Sequence, residues 1–193
     1  MDIDIDLQTA FVPERTFVDW VRAAQIQNGQ YKKHNVGMYP QGIAKDPITG
    51  FAAIPYKEAE ELGYMKLDFL PVHVYDFFQS REEIEQLIEL EPNWELLKSP
   101  SIVEKLFHIG NHFDIIDKVQ PRSIQELADC LALIRPGKRN LLDHYIRDRE
   151  KTRPLLYFTD ERFEDSYSFK RAHSISYAMV IVLQLHIIGF QVQ

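Results

Sequence analysis

Asp2-Ile3-Asp4-Ile5-Asp6-Leu7 opens the chain, and Tyr64-Met65-Lys66-Leu67-Asp68-Phe69 repeats its alternation further on. Apolar residues at every second position are the mark of a strand with one face against a core. Both segments are therefore predicted strands. In the first, Asp2, Asp4 and Asp6 share one face, with alternate side chains roughly 7 Å apart. Carboxylates held that close repel one another unless a positive charge sits among them, and Mg²⁺, which favours a few carboxylates together with water and phosphate oxygens, supplies one. The same pattern also suits a solvated edge strand whose charges discourage pairing with other chains. In the second segment Lys66 and Asp68 share a face, opposite Met65, Leu67 and Phe69. If the two strands are neighbours, they hold the parts of a two-metal phosphoryl-transfer site.

Outward from these strands, Pro13 is placed to start a helix, and Phe17, Val21 and Ala24 recur at helical spacing until Asn28-Gly29. A region rich in Gly and Pro follows, from Tyr31 to Pro55. Within it, Gly42–Lys45 and Phe51–Ile54 flank Asp46-Pro47-Ile48-Thr49-Gly50, which predicts a β-hairpin. Tyr56–Leu62 is a short helix stopped by Gly63. Beyond Val72 the pattern is helical. Ile84, Leu87 and Ile88 mark one helix, and Ile102, Leu106 and Ile109 another. Ser123-Ile124-Gln125-Glu126 is a capping box opening a third, whose stripe is Leu127, Leu131 and Ile134. Arg135-Pro136-Gly137 ends it. Further helices are predicted over about 140–151 and from about Ser168 to Ile188. The fold class is α+β, with residues 1–70 bearing the strands and 71–193 the helices.

The chain has 193 residues and a formal charge of −7, which argues against a protein that wraps nucleic acid in a uniformly basic surface but permits one basic groove. Its single cysteine, Cys130, sits in an apolar helical pattern and rules out an intrachain disulfide. The acidic start predicts no signal peptide, and a cytoplasmic location is expected. Ile175–Phe190 is interrupted by Ser176, Gln184 and His186 and falls short of the ~20 residues of a membrane span, so it is expected to be a buried helix. His108 and His112 are four apart, but no Glu-containing zinc motif surrounds them.

Several segments resemble, in order, the catalytic core of C-family bacterial replicative polymerases, the DNA polymerase III alpha subunits. Met1–Leu7 resembles their Pro-Asp-(Phe/Ile)-Asp-(Val/Ile)-Asp-Phe strand. Lys32-Lys33-His34-Asn35-Val36-Gly37 through Ile43 is similar to Lys-His-Ala-Gly-Gly-Val-Val-Ile, and Gly63–Leu70 to Gly-Leu-Val-Lys-Phe-Asp-Phe-Leu. Leu133-Ile134-Arg135-Pro136-Gly137 resembles Leu-Phe-Arg-Pro-Gly. Phe169–Ala178 resembles Phe-Asn-Lys-Ser-His-Ser-Val-Ala-Tyr-Ala.

The resemblance implies a polymerase-β-like palm remnant followed by helical fingers. It implies that Asp2, Asp4 and Asp68 bind Mg²⁺ and catalyse, and that Lys66 assists them. Lys33, His34, Arg135, Arg171 and His173 match positions near nucleotide or template. Read on their own, His173 suits a helix surface equally well, Arg135 suits a helix C-terminus, and Lys33 and His34 suit a solvated loop cluster. Lys138, Arg139 and Lys170 are expected to be solvated.

The family's Gly-Ser phosphate loop lies before its first aspartates, and here only Met1 precedes Asp2. The stretch between Asp6 and His34 is short for a thumb, and Lys138 stands where the family has proline. The expectation is therefore a strongly truncated core of a kind a phage could encode. It would be a DNA-directed DNA polymerase acting on primer-template and dNTP, completed by a second polymerase chain or replisome protein, with no membrane role. The alternative from another class is a non-catalytic polymerase-like module that binds and regulates replication proteins or nucleic acid.

Overall fold

A computed structural model describes residues 2–158 and 170–191, apart from the side chains of Asp2 and Gln191. The chain divides into two units, Met1–Gln79 and Ser80–Gln193. The α+β class is as the sequence predicts: the first unit is built on a four-stranded sheet and the second on helices.

The sheet has the order β1-β4-β3-β2, with β1 over Asp2–Leu7, β2 over Val21–Gln27, β3 over Gln30–Tyr39 and β4 over Lys66–Pro71. β1 runs parallel to β4, β3 antiparallel to β4, and β2 antiparallel to β3. The two strands read from alternation are thus neighbours, and β1 is also an edge strand.

The helix expected from Pro13 to Asn28 is not formed. Only α1, Pro13–Thr16, is helical there, and Val21–Gln27 is strand β2. Asn28 (φ 53°) and Gly29 (φ 72°) are not a helix stop but the two-residue turn joining β2 to β3. Both take the left-handed backbone that a type I′ hairpin turn requires, for which Asn-Gly is the favoured pair. Val21, Arg22, Ala23 and Ala24 are all buried. Segment 52–55 closes the outer edge of β2, with Ala52 N donating to Arg22 O at 2.8 Å and a parallel bridge from Ala24 to Pro55. A strand covered on both faces loses the period-two pattern, so its spacing imitates a helix.

The hairpin expected at residues 42–54 survives as a single antiparallel bridge, Lys45 to Ala52, over a turn in which Asp46 accepts from the Ile48 and Thr49 amides. α2, Tyr56–Glu61, forms as predicted, and Gly63 (φ 84°) closes its end. A small core of Val21, Ala23, Tyr39, Ile43, Ala52 and Ala59 lies on one face of the sheet. On the other face Phe11, Phe17 and Trp20 gather around Phe69, with Phe17 stacked on Trp20 at 4.3 Å between ring centroids.

In the second unit the elements are α3 (Arg81–Glu89), a 3₁₀ turn at Trp94–Lys98, α4 (Pro100–Val103), α5 (Phe113–Val119) and α6 (Ile124–Leu133). They are followed by a 3₁₀ turn at Pro136–Leu141, α7 (Leu142–Arg147), α8 (Arg149–Tyr157) and α9 (Arg171–Gln191). The helix expected through Ile102, Leu106 and Ile109 shrinks to α4. His108 has φ 60°, so it shares no helical face with His112. The helix expected over about 140–151 is interrupted at Asp148, whose carboxylate caps α8 by accepting from Lys151 N at 3.1 Å. The expected start of the last helix at Ser168, like Phe169 of its motif, lies outside the described residues.

The capping box is real but shifted. Ser123 Oγ accepts from Glu126 N at 3.1 Å, while Glu126 Oε2 accepts from Arg122 N at 2.8 Å, one residue before the cap. α6 and α9 form the centre of the core, with Leu127, Cys130, Leu131, Ala178, Ile181, Val182 and Leu185 buried among other helices. α9 is long and apolar enough to cross a membrane by length and composition. Its buried residues pack in this core, each worth about 1.5–3 kcal/mol for a large aliphatic chain. Burial raises the Cys130 thiol far above its usual range, so it behaves as a small buried hydrophobe.

Candidate functional site

In the first unit the parallel register sets Asp2 beside Lys66 and Asp4 beside Asp68. Paired residues of parallel strands direct their side chains to the same face, with strands about 4.8 Å apart. Asp4 and Asp68 are therefore adjacent carboxylates on one face. Lys66 Nζ lies 2.5 Å from Asp68 Oδ2, and the two side chains are 5% and 14% exposed. An ammonium withdrawn from water this far requires a close anion, since the cost of stripping its hydration is otherwise uncompensated. The Tyr56 ring adds a second favourable contact, with Lys66 Nζ 5.6 Å from its centroid. Asp68 Oδ1 is buried without a hydrogen-bond donor. Thus one oxygen of Asp68 is neutralised by lysine and the other is left with unmet demand.

Gly37 of β3 pairs with Asp68 and lies on the same face. A Cβ at residue 37 would stand 2.6 Å from Lys66 Cδ, 2.8 Å from His34 Nδ1 and 2.9 Å from Asp68 Oδ1. Glycine here is a packing requirement: the three side chains occupy the space a methyl group would take. Gly37 N donates to His34 Nδ1 at 2.8 Å, so the neutral imidazole carries its proton on Nε2. His34 also meets Tyr56 edge-on, at 5.2 Å between rings. Residues 34–37 of β3 fall where the β2–β3 register shifts, between Arg22 and Ala24. A bulge of that kind re-aims side chains locally.

The structure thus brings Asp4, Lys66, Asp68 and His34 onto one face, and the side chain of Asp2 lies outside the described residues. Lys33 goes elsewhere. It pairs with Glu14 at 3.3 Å, and Glu14 also holds the buried Arg22. Burial raises the Glu14 pKa, but hydrogen bonds and the two cations outweigh it and hold the carboxyl below its usual value. Asp6 is met by the Tyr75 hydroxyl at 3.5 Å. Gly37 and Tyr56 belong to the site without being among the residues the sequence points to as functional. A glycine inside a strand is the signal that could have found the first. No spacing rule points to Tyr56, which reaches the site from α2.

In the second unit, Arg135 immediately precedes the 3₁₀ turn at Pro136–Leu141, its carbonyl accepting from Lys138 N at 2.9 Å, and His173 lies in the first turns of α9. His108 stacks on Tyr177 at 4.7 Å with the rings 5° from parallel, and His173 approaches the same tyrosine at 6.5 Å. Although His108 is exposed, partial burial and then the Arg135 charge lower its pKa, which favours the neutral ring. Arg135, His108, Tyr177 and His173 thus form a cationic and aromatic cluster. The sequence places His108 only at four-residue spacing from His112; its place beside Tyr177 depends on contact between distant segments.

Arg171 Nη2 donates to Gln125 Oε1 at 2.8 Å. Gln125 Nε2 in turn donates to Asp129 Oδ1 at 2.9 Å. Asp129 is fully buried. It also accepts from Tyr157 at 2.8 Å, from Tyr145 at 2.7 Å and from Arg153 Nε at 2.8 Å. Burial and the Asp129 carboxylate both raise the two tyrosines' pKa values.

Lys138, expected in solvent, is buried. Its Nζ donates to the carbonyls of Leu155 at 2.9 Å and Phe158 at 2.5 Å, closing the C-terminal end of α8. The departure from the family's proline at this position therefore has a structural role. Arg139 pairs with Asp114, and Lys170 is exposed. Among the described residues no group of three His, Cys, Asp or Glu side chains is arranged to hold a metal ion.

The model of the bacterial DNA polymerase III alpha subunit finger domain matches residues 54–186. That span includes Lys66, Asp68, Arg135, Arg171 and His173 and begins after Asp4 and His34. No curated protein matches the chain. The match extends over well over half of the chain, and the chain belongs to the bacterial DNA polymerase III alpha subunit finger-domain family.

Proposed function

We propose that the chain is a DNA polymerase III alpha-like core that catalyses DNA-directed nucleotidyl transfer, with Asp2, Asp4 and Asp68 as magnesium ligands. The observation that carries this reading is the register pairing of Asp4 with Asp68 across β1 and β4. The residues fit Mg²⁺ by their chemistry: hard oxygen donors, one of them the buried and unsatisfied Asp68 Oδ1. When bound, Mg²⁺ favours ionisation of the primer 3′-hydroxyl and offsets charge on the reacting phosphate.

The chain's own residues account for the rest. Asp4 and Asp68 hold the cations, with Asp2 as a third ligand on the same strand. Lys66 meets a phosphate oxygen, and His34 offers its Nε2 proton to the triphosphate. The 3′-oxygen attacks the α-phosphorus in line and pyrophosphate leaves. Taken by itself, the helical unit offers Arg135 and Arg171 for charge-assisted hydrogen bonds to nucleotide or template, and His173 for a further polar contact. A partner polymerase chain or replisome protein acts with it, in a cytoplasmic setting.

Primer extension with Mg²⁺, by the chain alone and with candidate partner chains, tests this. Nucleotide incorporation should vanish in Asp4→Asn and in Asp68→Asn. Absence of Asp-dependent incorporation in every combination would overturn the catalytic reading. One observation favours a second reading, a non-catalytic module that binds replication proteins or DNA: the family match begins at residue 54 and omits the strand of Asp4. Partner or primer-template binding that is unchanged by both Asp→Asn variants, without incorporation, would select it.

A further inference from the structure

We propose that Lys66 is a resident counter-cation that must leave Asp68 before a divalent metal can bind, so that lysine and metal compete for one carboxylate. The inference rests on the metal-site reading above and adds an order of events to it.

The ammonium lies 2.5 Å from Asp68 Oδ2. A divalent ion bound to the same carboxylate would sit about 2.1 Å from its oxygen. On the unsatisfied Oδ1 that ion would still lie only a few ångströms from the ammonium on Oδ2, and with the two side chains 5% and 14% exposed little water screens their repulsion. Metal-free, the arrangement is self-consistent: the lysine neutralises a carboxylate that would otherwise face Asp4 unpaired.

Retreat is available along the path the structure provides. The Tyr56 ring already lies within 5.6 Å of Nζ, and an aromatic face is a favourable station for a displaced ammonium. On the other side, Lys66 Cδ lies 2.6 Å from where a Cβ of residue 37 would stand, so the lysine stem already packs close against the Gly37 backbone. The divalent ion therefore binds against the cost of breaking the Lys66–Asp68 pair. A polyphosphate group arriving with the metal reduces that cost by giving the ammonium a new anion. Metal alone should bind weakly, and Lys66 is the reason.

Calorimetric titration of the full chain with Mn²⁺ at pH 8 tests the competition. Lys66→Met should bind Mn²⁺ about 5–150-fold more tightly than wild type, the ordinary span of a coupling between two ligands. Lys66→Gln, which keeps a hydrogen-bond donor but no charge, should also bind more tightly, and it serves if the methionine variant fails to fold. Lys66→Arg should stay weak. In wild type, saturating Mg²⁺ should raise the reactivity of Lys66 towards an amine-reactive reagent read by mass spectrometry, and Asp4→Asn should abolish the rise.

Wild type that binds Mn²⁺ while the charge-removing variants bind no more tightly would overturn the competition and leave the metal site standing. Unchanged Lys66 reactivity at saturating Mg²⁺ would do the same. Mn²⁺ binding by none of the proteins would overturn both.

Discussion

Replacing Asp129 should cost the helical unit a large share of its stability and should also release Arg171. The carboxylate is fully buried and receives four hydrogen bonds, two on each oxygen, from α6, α7 and α8. In Asp129→Ala, the hydroxyl of the fully buried Tyr145 is stranded, at about 1–3 kcal/mol. Arg153 keeps Glu150 at 2.6 Å but loses its buried anion, and Tyr157 and Gln125 are half-buried and regain some water. Together these give about 3–5 kcal/mol, in line with breaking a buried charge pair from one side. That is more than half of a stability at the lower end of ~5–15 kcal/mol.

Asp129→Asn should cost about half as much, because one oxygen remains. Its amide is best directed at Gln125 and Tyr157, leaving the oxygen for Arg153. Gln125 must then turn its own oxygen inward, and that oxygen is the acceptor Arg171 now uses at 2.8 Å. Urea unfolding, followed by Trp94 fluorescence in a Trp20→Phe background, reports on the helical unit. A loss below about 1 kcal/mol for Asp129→Ala, against the 1–3 kcal/mol expected for one stranded donor alone, would refute the accounting.

Two further predictions concern the strand-bearing unit. Gly37→Ala should displace Lys66, His34 and Asp68 together, costing about 1–3 kcal/mol as overpacking does and weakening Mn²⁺ binding. A variant with wild-type melting and wild-type titration would contradict that packing argument. Tyr75 is pushed up from 10.0 to about 12, first by burial and then by the Asp6 charge and hydrogen bond. The fold favours the neutral phenol, so its contribution is complete below pH 10 and is lost as pH rises through about 12. Stability measured across pH 9–12, with absorbance tracking phenolate, should fall less steeply in Tyr75→Phe than in wild type. Identical slopes would remove Tyr75 from the alkaline limb.

The alternation of Asp2–Leu7 and of Met65–Phe69 determined two strands and the sharing of faces by Asp4 with Asp6 and by Lys66 with Asp68. Period two is a property of the extended backbone, so it is written locally. The caps at Ser123, and the stops at Gly63 and Pro136, were legible for the same reason. β2 was not, because Val21–Ala24 is buried on both faces and its pattern reflects neighbours that the local sequence does not name. The interruption at Asp148 was likewise invisible as a pattern, since the residues on either side are all acceptable helix formers.

The candidate site divides along the same line. Sequence named Asp4, Asp68, Lys66 and His34. Tertiary structure decided that Asp4 stands opposite Asp68, that Gly37 clears the floor beneath them, that Lys33 turns to Glu14, and that Lys66 holds the carboxylate. It also decided that Lys138 is buried against α8 while Asp129 gathers three helices. Pairing partners, burial and the meeting of charges depend on which distant segments the fold brings within a few ångströms, and no local repeat in the chain encodes that.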